Sequence, residues 1–281
     1  MRAEMESPQQ SLDRRASRVR RIHNKAVSTL ITFEHPLNER VRTFLRLEHL
    51  FRLLNHFVQQ EDPRASRCAI WALLDIVAVT TRADVRNEIL KELDRLTSNL
   101  NRLSTQRGVD LEALNGVLAD LRRVTEGVQQ LNGPIGHRAR EDEFLKAIAQ
   151  RSSIPGGTCS FDLPHFHYWL IQPIEQRQSR FNDWLQDLNP AIEAIRLALS
   201  LMRSSSSSRQ VTAEGGFYQE ALDALAPAQM LRVTLEADKA IFPEISGHKN
   251  RFSIRFMKPE PQGRATPHAE DIEFRLTCCI F

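Results

Sequence analysis

The sequence predicts an α+β protein, with a mainly α-helical domain inserted between segments of a smaller antiparallel β domain. Three observations carry this. Across residues 37–203 apolar residues return every three or four positions, the period of helices with one buried face. Near the C-terminus the period drops to two in three runs. Leu231, Val233 and Leu235 form the first, Phe252, Ile254 and Phe256 the second, and Ile272, Phe274, Leu276 and Cys278 the third, each alternating with polar residues. Ahead of the helical stretch, a β-prone run from Thr29 to Phe33 ends at Pro36, and proline pushes its predecessor out of the helical region. The natural reading makes that run a fourth strand beside the other three.

The elements follow in order. Residues 1–26 are polar, rich in Arg, Ser and Gln and without periodicity, so they read as a disordered basic tail. Residues 27–36 form the N-terminal strand segment, and residues 37–203 the helical domain. Asn38 is placed to cap a first helix whose apolar face includes Val41, Phe44, Leu47, Phe51 and Leu54. On its polar side Arg42, Arg46, His49 and His56 are spaced to share a quarter of the circumference, a cationic stripe. A second helix spans about 63–79. Ile89, Leu93, Leu96, Leu100 and Leu103 are spaced 4-3-4-3, and Leu111 to Leu131 continue the seam after a break at Gly108. Two such helices with one short connection predict an antiparallel hairpin. One further helix is expected over about 141–151, a short one capped by Asp162, and two more over 173–187 and 190–203. Ser204 opens a Ser-rich linker, 204–215, and 216–281 complete the β domain, whose solvent face is expected to carry Arg232, Arg251, Arg255 and Arg275 together.

Composition excludes several classes. Hydrophobic residues are 41% and charged residues 26% of the 281, the balance of a globular protein, and no apolar run is long enough for a membrane span. No N-terminal apolar stretch resembles a signal peptide, so a soluble cytoplasmic protein is expected. A net charge of +3 is weak for a nucleic-acid binder. Yet 32 of the 38 basic residues are arginine, whose planar fork suits carboxylates and phosphates.

Catalytic and metal chemistry is poorly represented. Ser153-Ile-Pro-Gly-Gly-Thr has the glycines of a phosphate loop but no lysine and no preceding strand, and the glycines fit a tight turn better. His165 and His167 diverge by about 160° on a helix and cannot readily share an ion there. Cys159, near these histidines, is the only nucleophile worth naming, and a packing role suits it better. The expectation is no enzyme, no metal and no cofactor.

Several segments resemble the ZapD family of cell division proteins. They are Phe33-Glu-His-Pro-Leu-Asn-Glu-Arg-Val-Arg-Thr-Phe-Leu-Arg46, Glu88-Ile-Leu-Lys-Glu-Leu-Asp-Arg95, Ser153-Ile-Pro-Gly-Gly-Thr-Cys-Ser-Phe-Asp-Leu-Pro164 and Ile245-Ser-Gly-His-Lys-Asn-Arg-Phe-Ser-Ile-Arg-Phe-Met257. The likeness runs from about residue 30 to 279 and leaves the N-terminal tail outside it.

The resemblance implies a cytoplasmic homodimer at the mid-cell ring. It would bind the C-terminal peptide of FtsZ and cross-link FtsZ filaments into bundles, catalysing nothing. Arg46, Arg82, His167, Arg251 and Arg255 match basic positions of the family, and Lys249 precedes the same strand as the last two. One position departs: Glu143 stands where a close relative's pattern has arginine, so either that contact is dispensable or Arg138 or Arg140 substitutes. Purely structural roles are open to the same residues. Arg46 can pair with Glu48, Arg82 can cap its helix, and His167 can be a core histidine beside Trp169. The competing functions are a nucleic-acid-associated protein using the Arg-rich tail and basic sheet face, and an enzyme centred on Cys159 and His167.

Overall fold

The computed structural model describes residues 29–82, 84–104, 108–223, 227–247 and 250–280. The predicted tail, 1–26, lies outside them. The chain is α+β and forms two compact units. One holds the helices and residues 223–231 and 278–281; the other holds the chain up to Glu34, then 208–222 and 232–277.

In the helical unit, α1 (Glu39–Val58) starts at Asn38, whose side chain accepts the Val41 N–H at 2.9 Å. It is followed by α2 (Pro63–Arg82), α3 (Val85–Leu103) and α4 (Leu111–Gln129). Arg86 in the first turn of α3 reaches the carbonyls of Gln129 (2.7 Å) and Gly133 (3.3 Å) at the end of α4, so these two helices are the expected antiparallel pair. Their seam residues Ile89, Leu93, Leu96, Leu114, Leu121 and Val128 are buried.

The helix expected over 141–151 is α6 (Glu143–Ser152), and a short helix that the sequence reading did not foresee, α5 (His137–Glu141), precedes it. Asp142 makes the break, because its side chain accepts the Leu145 N–H and caps α6 instead of continuing α5. Then come α7 (Pro164–Leu170), α8 (Ile174–Leu185) and α9 (Asn189–Ser204). Asp162 does not cap α7; its carboxylate accepts the Cys159 thiol at 3.2 Å and lies 3.5 Å from Arg151. The glycine turn ahead of it has the backbone reason expected. Gly156 has φ +74°, and a Cβ on Gly157 would lie 2.7 Å from the Arg151 carbonyl.

Two devices fix the helical faces. Phe144, Phe166, Trp169, Phe181 and Trp184 pack ring on ring between α6, α7 and α8, with centroids 5.4–6.1 Å apart. Charges are also buried. Glu48 on α1 accepts both guanidinium nitrogens of Arg203 on α9, at 2.8 and 2.7 Å, and a further contact from Arg52. Burial works against the charge, but the Arg203 and Arg52 hydrogen bonds win and bring the Glu48 carboxyl down to about 2.

The β unit corrects the sequence reading. The expected single sheet is two. In the first the order is β1 (Leu30–Pro36), β4 (Met230–Glu236), β8 (Ile272–Cys279), β2 (Arg209–Ala213); in the second it is β3 (Phe217–Ala221), β6 (Arg251–Lys258), β5 (Phe242–Gly247). A two-residue strand, β7 (Thr266–Pro267), also pairs with β6. The run at 29–33 does join β4, as expected, with the Thr32 and Thr234 hydroxyls 2.8 Å apart. The strands at 231 and 272 sit in one sheet and that at 251 in the other. Alternation fixes which face of a strand is buried but says nothing of its partner. The Ser-rich linker is shorter than 204–215, since Ser204 ends α9 and β2 pairs with β8, Val211 opposite Phe274. The buried faces of the two sheets meet at Phe256 and Phe274, whose centroids are 5.0 Å apart. Gly216, at φ +73°, turns β2 into β3; a Cβ there would lie 2.1 Å from the His268 carbonyl.

Candidate functional site

The cations expected to share one sheet face are divided by that topology. Arg232 lies on β4 and pairs with Glu34 at 3.1 Å, while Arg251 and Arg255 lie on β6 of the other sheet. Both β6 arginines are exposed, and the Arg255 guanidinium stands 5.7 Å from the ring of half-exposed Phe217 across the strand pair. Lys249 lies outside the described residues.

In the helical unit a cleft of about 580 Å³ opens where α2 ends and α3 begins. Arg82 is the last residue of α2 and exposed; Asp84 caps α3 through the Asn87 N–H; Arg86 follows on the first turn. A cation in a first turn opposes the helix dipole, and Arg86 is held there by what it does for the neighbouring helix, closing α4 through the two carbonyls named above. The loop after α4 brings the third arginine round. Gly136, at φ +75°, packs so closely that a Cβ would touch Leu188 and the Thr80 hydroxyl at 3.4 Å, and α5 then delivers Arg140 to the cleft wall. Arg140 is anchored by Glu141 at 3.0 Å, and Arg140, then Lys146, hold the Glu141 carboxyl below its ordinary range.

Three guanidinium groups therefore line one concavity whose only carboxylate among the described residues, Asp84, is committed to a helix cap. Among the described residues Arg82 has no hydrogen-bonding or ionic partner, so its fork is available to a ligand. Val85, Pro134 and Ile135 supply apolar wall. Chemically the cleft offers the guanidinium of Arg82, unpaired among the described residues, and the partly engaged ones of Arg86 and Arg140, beside apolar wall.

The remaining predicted residues stand apart from the cleft. Arg46 is exposed on α1 and does not pair with Glu48, which Arg203 and Arg52 occupy. His167 is exposed on α7 and is no core histidine. Its helix packs beside Trp71 on α2, and Arg82 is eleven residues further along, about 16 Å at the helical rise. Cys159, half-buried, donates its thiol hydrogen to Asp162. Among the described residues no group of His, Cys, Asp and Glu is placed to hold a metal ion, and no helix is long and apolar enough to cross a membrane.

The family model for ZapD, a cell division protein, matches residues 45–255. The chain belongs to the ZapD family. Proteins named Cell division protein ZapD from Methylococcus capsulatus, Escherichia coli and Azoarcus are 42%, 39% and 37% identical to it over 250, 254 and 250 residues. Those alignments cover 89–90% of this chain and 98–100% of the relatives. The family match takes in the cleft and most of β6, and with it a role in cell division. Sequence reasoning placed Arg82 by its likeness to other ZapD proteins but missed Arg86, for which the adverse dipole position was the available signal.

Proposed function

We propose that this ZapD protein binds the C-terminal peptide of FtsZ and, as a homodimer, cross-links FtsZ filaments at the mid-cell ring without catalysing a reaction. The observation that carries the reading is the convergence of Arg82, Arg86 and Arg140 on one cleft with apolar walls. The FtsZ tail is short and mixes acidic with apolar residues. Forked guanidinium groups take its carboxylates, and the walls take its hydrophobic atoms. Arg46, Arg251 and Arg255 are further exposed cations that favour approach of an acidic segment, and His167 is an exposed hydrogen-bonding side chain. One site per subunit makes a dimer bivalent, and the repeated tails of a filament raise the effective concentration for rebinding.

The test is co-sedimentation with GTP-assembled FtsZ, comparing full-length FtsZ with FtsZ lacking its C-terminal peptide. Pelleting with the first and not the second is expected. Pelleting with both would move the contact off the tail, and pelleting with neither would refute the reading.

A further inference from the structure

A second cavity, of about 350 Å³, lies on the other side of the Asp142 break from the arginine cleft. Its floor is apolar: Phe144 and Ile148 from α6, and Leu163 and Phe166 from the α7 segment. Arg180 on α8 stands at its edge. The Arg180 guanidinium lies 4.2 Å from the centroid of the Phe144 ring and 5.1 Å from that of Trp184, which fixes its plane. Its described ion pair is a long one, 3.4 Å to Asp142. Asp142 is itself held by the Trp184 N–H at 3.0 Å and the Leu145 N–H at 2.9 Å. The cation is thus positioned, yet most of its hydrogen-bonding fork is unspent.

The two cavities are neighbours along the backbone. Arg140 lines the first and Asp142 the second, so their Cα atoms are no more than about 7 Å apart. A few residues of extended peptide cover such a distance. The second cavity also bears on the departure at Glu143. That carboxylate lies at the same cavity and is paired with Lys146 at 3.0 Å, while Arg180 brings a cation to the same place from a different helix.

We infer that the two cavities form one continuous peptide site. The arginine cleft takes the carboxylates of the FtsZ tail, and the apolar cavity takes one of its large hydrophobic side chains, with Arg180 supplying a cation at its edge. This rests on the tail-binding reading above and divides the site into an acid-reading and an apolar-reading half.

Ala147 gives the test, since it is exposed on α6 and lines the cavity. Ala147→Trp fills the cavity from outside the helical core. Binding of a fluorescein-labelled FtsZ C-terminal peptide to the full chain is measured by anisotropy, with each large apolar residue of the peptide replaced in turn by Ala. For the native chain one replacement is expected to weaken binding roughly ten- to hundredfold, the worth of burying such a side chain. A147W is expected to weaken the native peptide by a similar factor and to bind the Ala peptide no worse than the native chain does. Ala147→Leu, a smaller plug, serves if circular dichroism shows that A147W is misfolded. A folded plug variant that binds the native peptide normally overturns the inference and leaves the tail-binding reading standing. A native chain that binds no peptide overturns both.

Discussion

The helical unit and the β unit both display arginine, and they do so in opposite ways. Arg82, Arg86 and Arg140 converge on a concavity from three different elements, each oriented by a helix end or a glycine turn. Arg251 and Arg255 repeat along one face of a single strand, and Arg255 lines an open cavity of about 500 Å³ together with Phe217, Glu244 and Ile245. Apolar side chains stand beside both, Val85, Pro134 and Ile135 in the first case and Phe217 and Ile245 in the second, so what separates them is convergence. Three arginines from three elements meet at one place, whereas two arginines share one strand. The cleft group is expected to carry more of the binding energy, and the strand group to favour approach.

Reversing charge in the cleft is expected to have the largest effect. Arg82→Glu combined with Arg140→Glu should weaken FtsZ-peptide binding roughly hundredfold or more and abolish bundling by light scattering, with helical content unchanged. If the corresponding pair on β6 costs more, the contrast between the units is the wrong way round.

Next comes the helical scaffold, which holds a buried carboxylate, Glu48, between two arginines. The Glu48 carboxyl has an ordinary value of 4.5 and stands near 2 in the fold. Its contribution is thus complete above pH 4.5 and lost as pH falls through 2. Its full worth is on the order of 3 kcal/mol. Glu48→Gln should lower the melting temperature at pH 7 and flatten the acid limb of the stability profile below pH 4.5. An unchanged acid limb would show that Glu48 is not the group that titrates.

A smaller change is expected on the sheet: Arg251→Glu with Arg255→Glu should reduce peptide affinity only about five- to tenfold, mostly through the association rate. Stopped-flow mixing separates the two rates. Smallest of all is the residual salt effect. Between about 0.05 and 0.5 M salt the native chain should lose affinity several-fold, and the Arg82/Arg140 double variant markedly less, since its main ionic contacts are already gone.

Much of the helical unit was legible from its own sequence because helix faces are set by residues three and four apart. The seam from Ile89 to Leu100 and the Asn38 cap are local facts. The Asp142 break was not, since its side chain is held by Trp184, 42 residues away. In the β unit the alternation at Phe252, Ile254 and Phe256 correctly gave the buried face, but the partner strands β3 and β5 are short and largely polar outward, and they left no signal. The site followed the same rule. Arg82 was visible as a cation of the right motif, whereas its company with Arg86 and Arg140 depends on a glycine turn touching Leu188 and Thr80. Arg180 had no motif at all; its importance comes from the rings beneath it.

The pairing of β1 with β4 sets a timetable for synthesis. The two threonine hydroxyls that meet there are 202 residues apart. At roughly 5–20 residues per second, β1 waits about 10–40 s on the ribosome before its neighbour is made. During that interval the α-helices, all of which precede β4 in the chain, have time to form, while Leu30 and Ile31 travel on a strand without its partner. A chain that stalls before β4 therefore carries formed helices and an open strand edge, the kind of surface that chaperones capture.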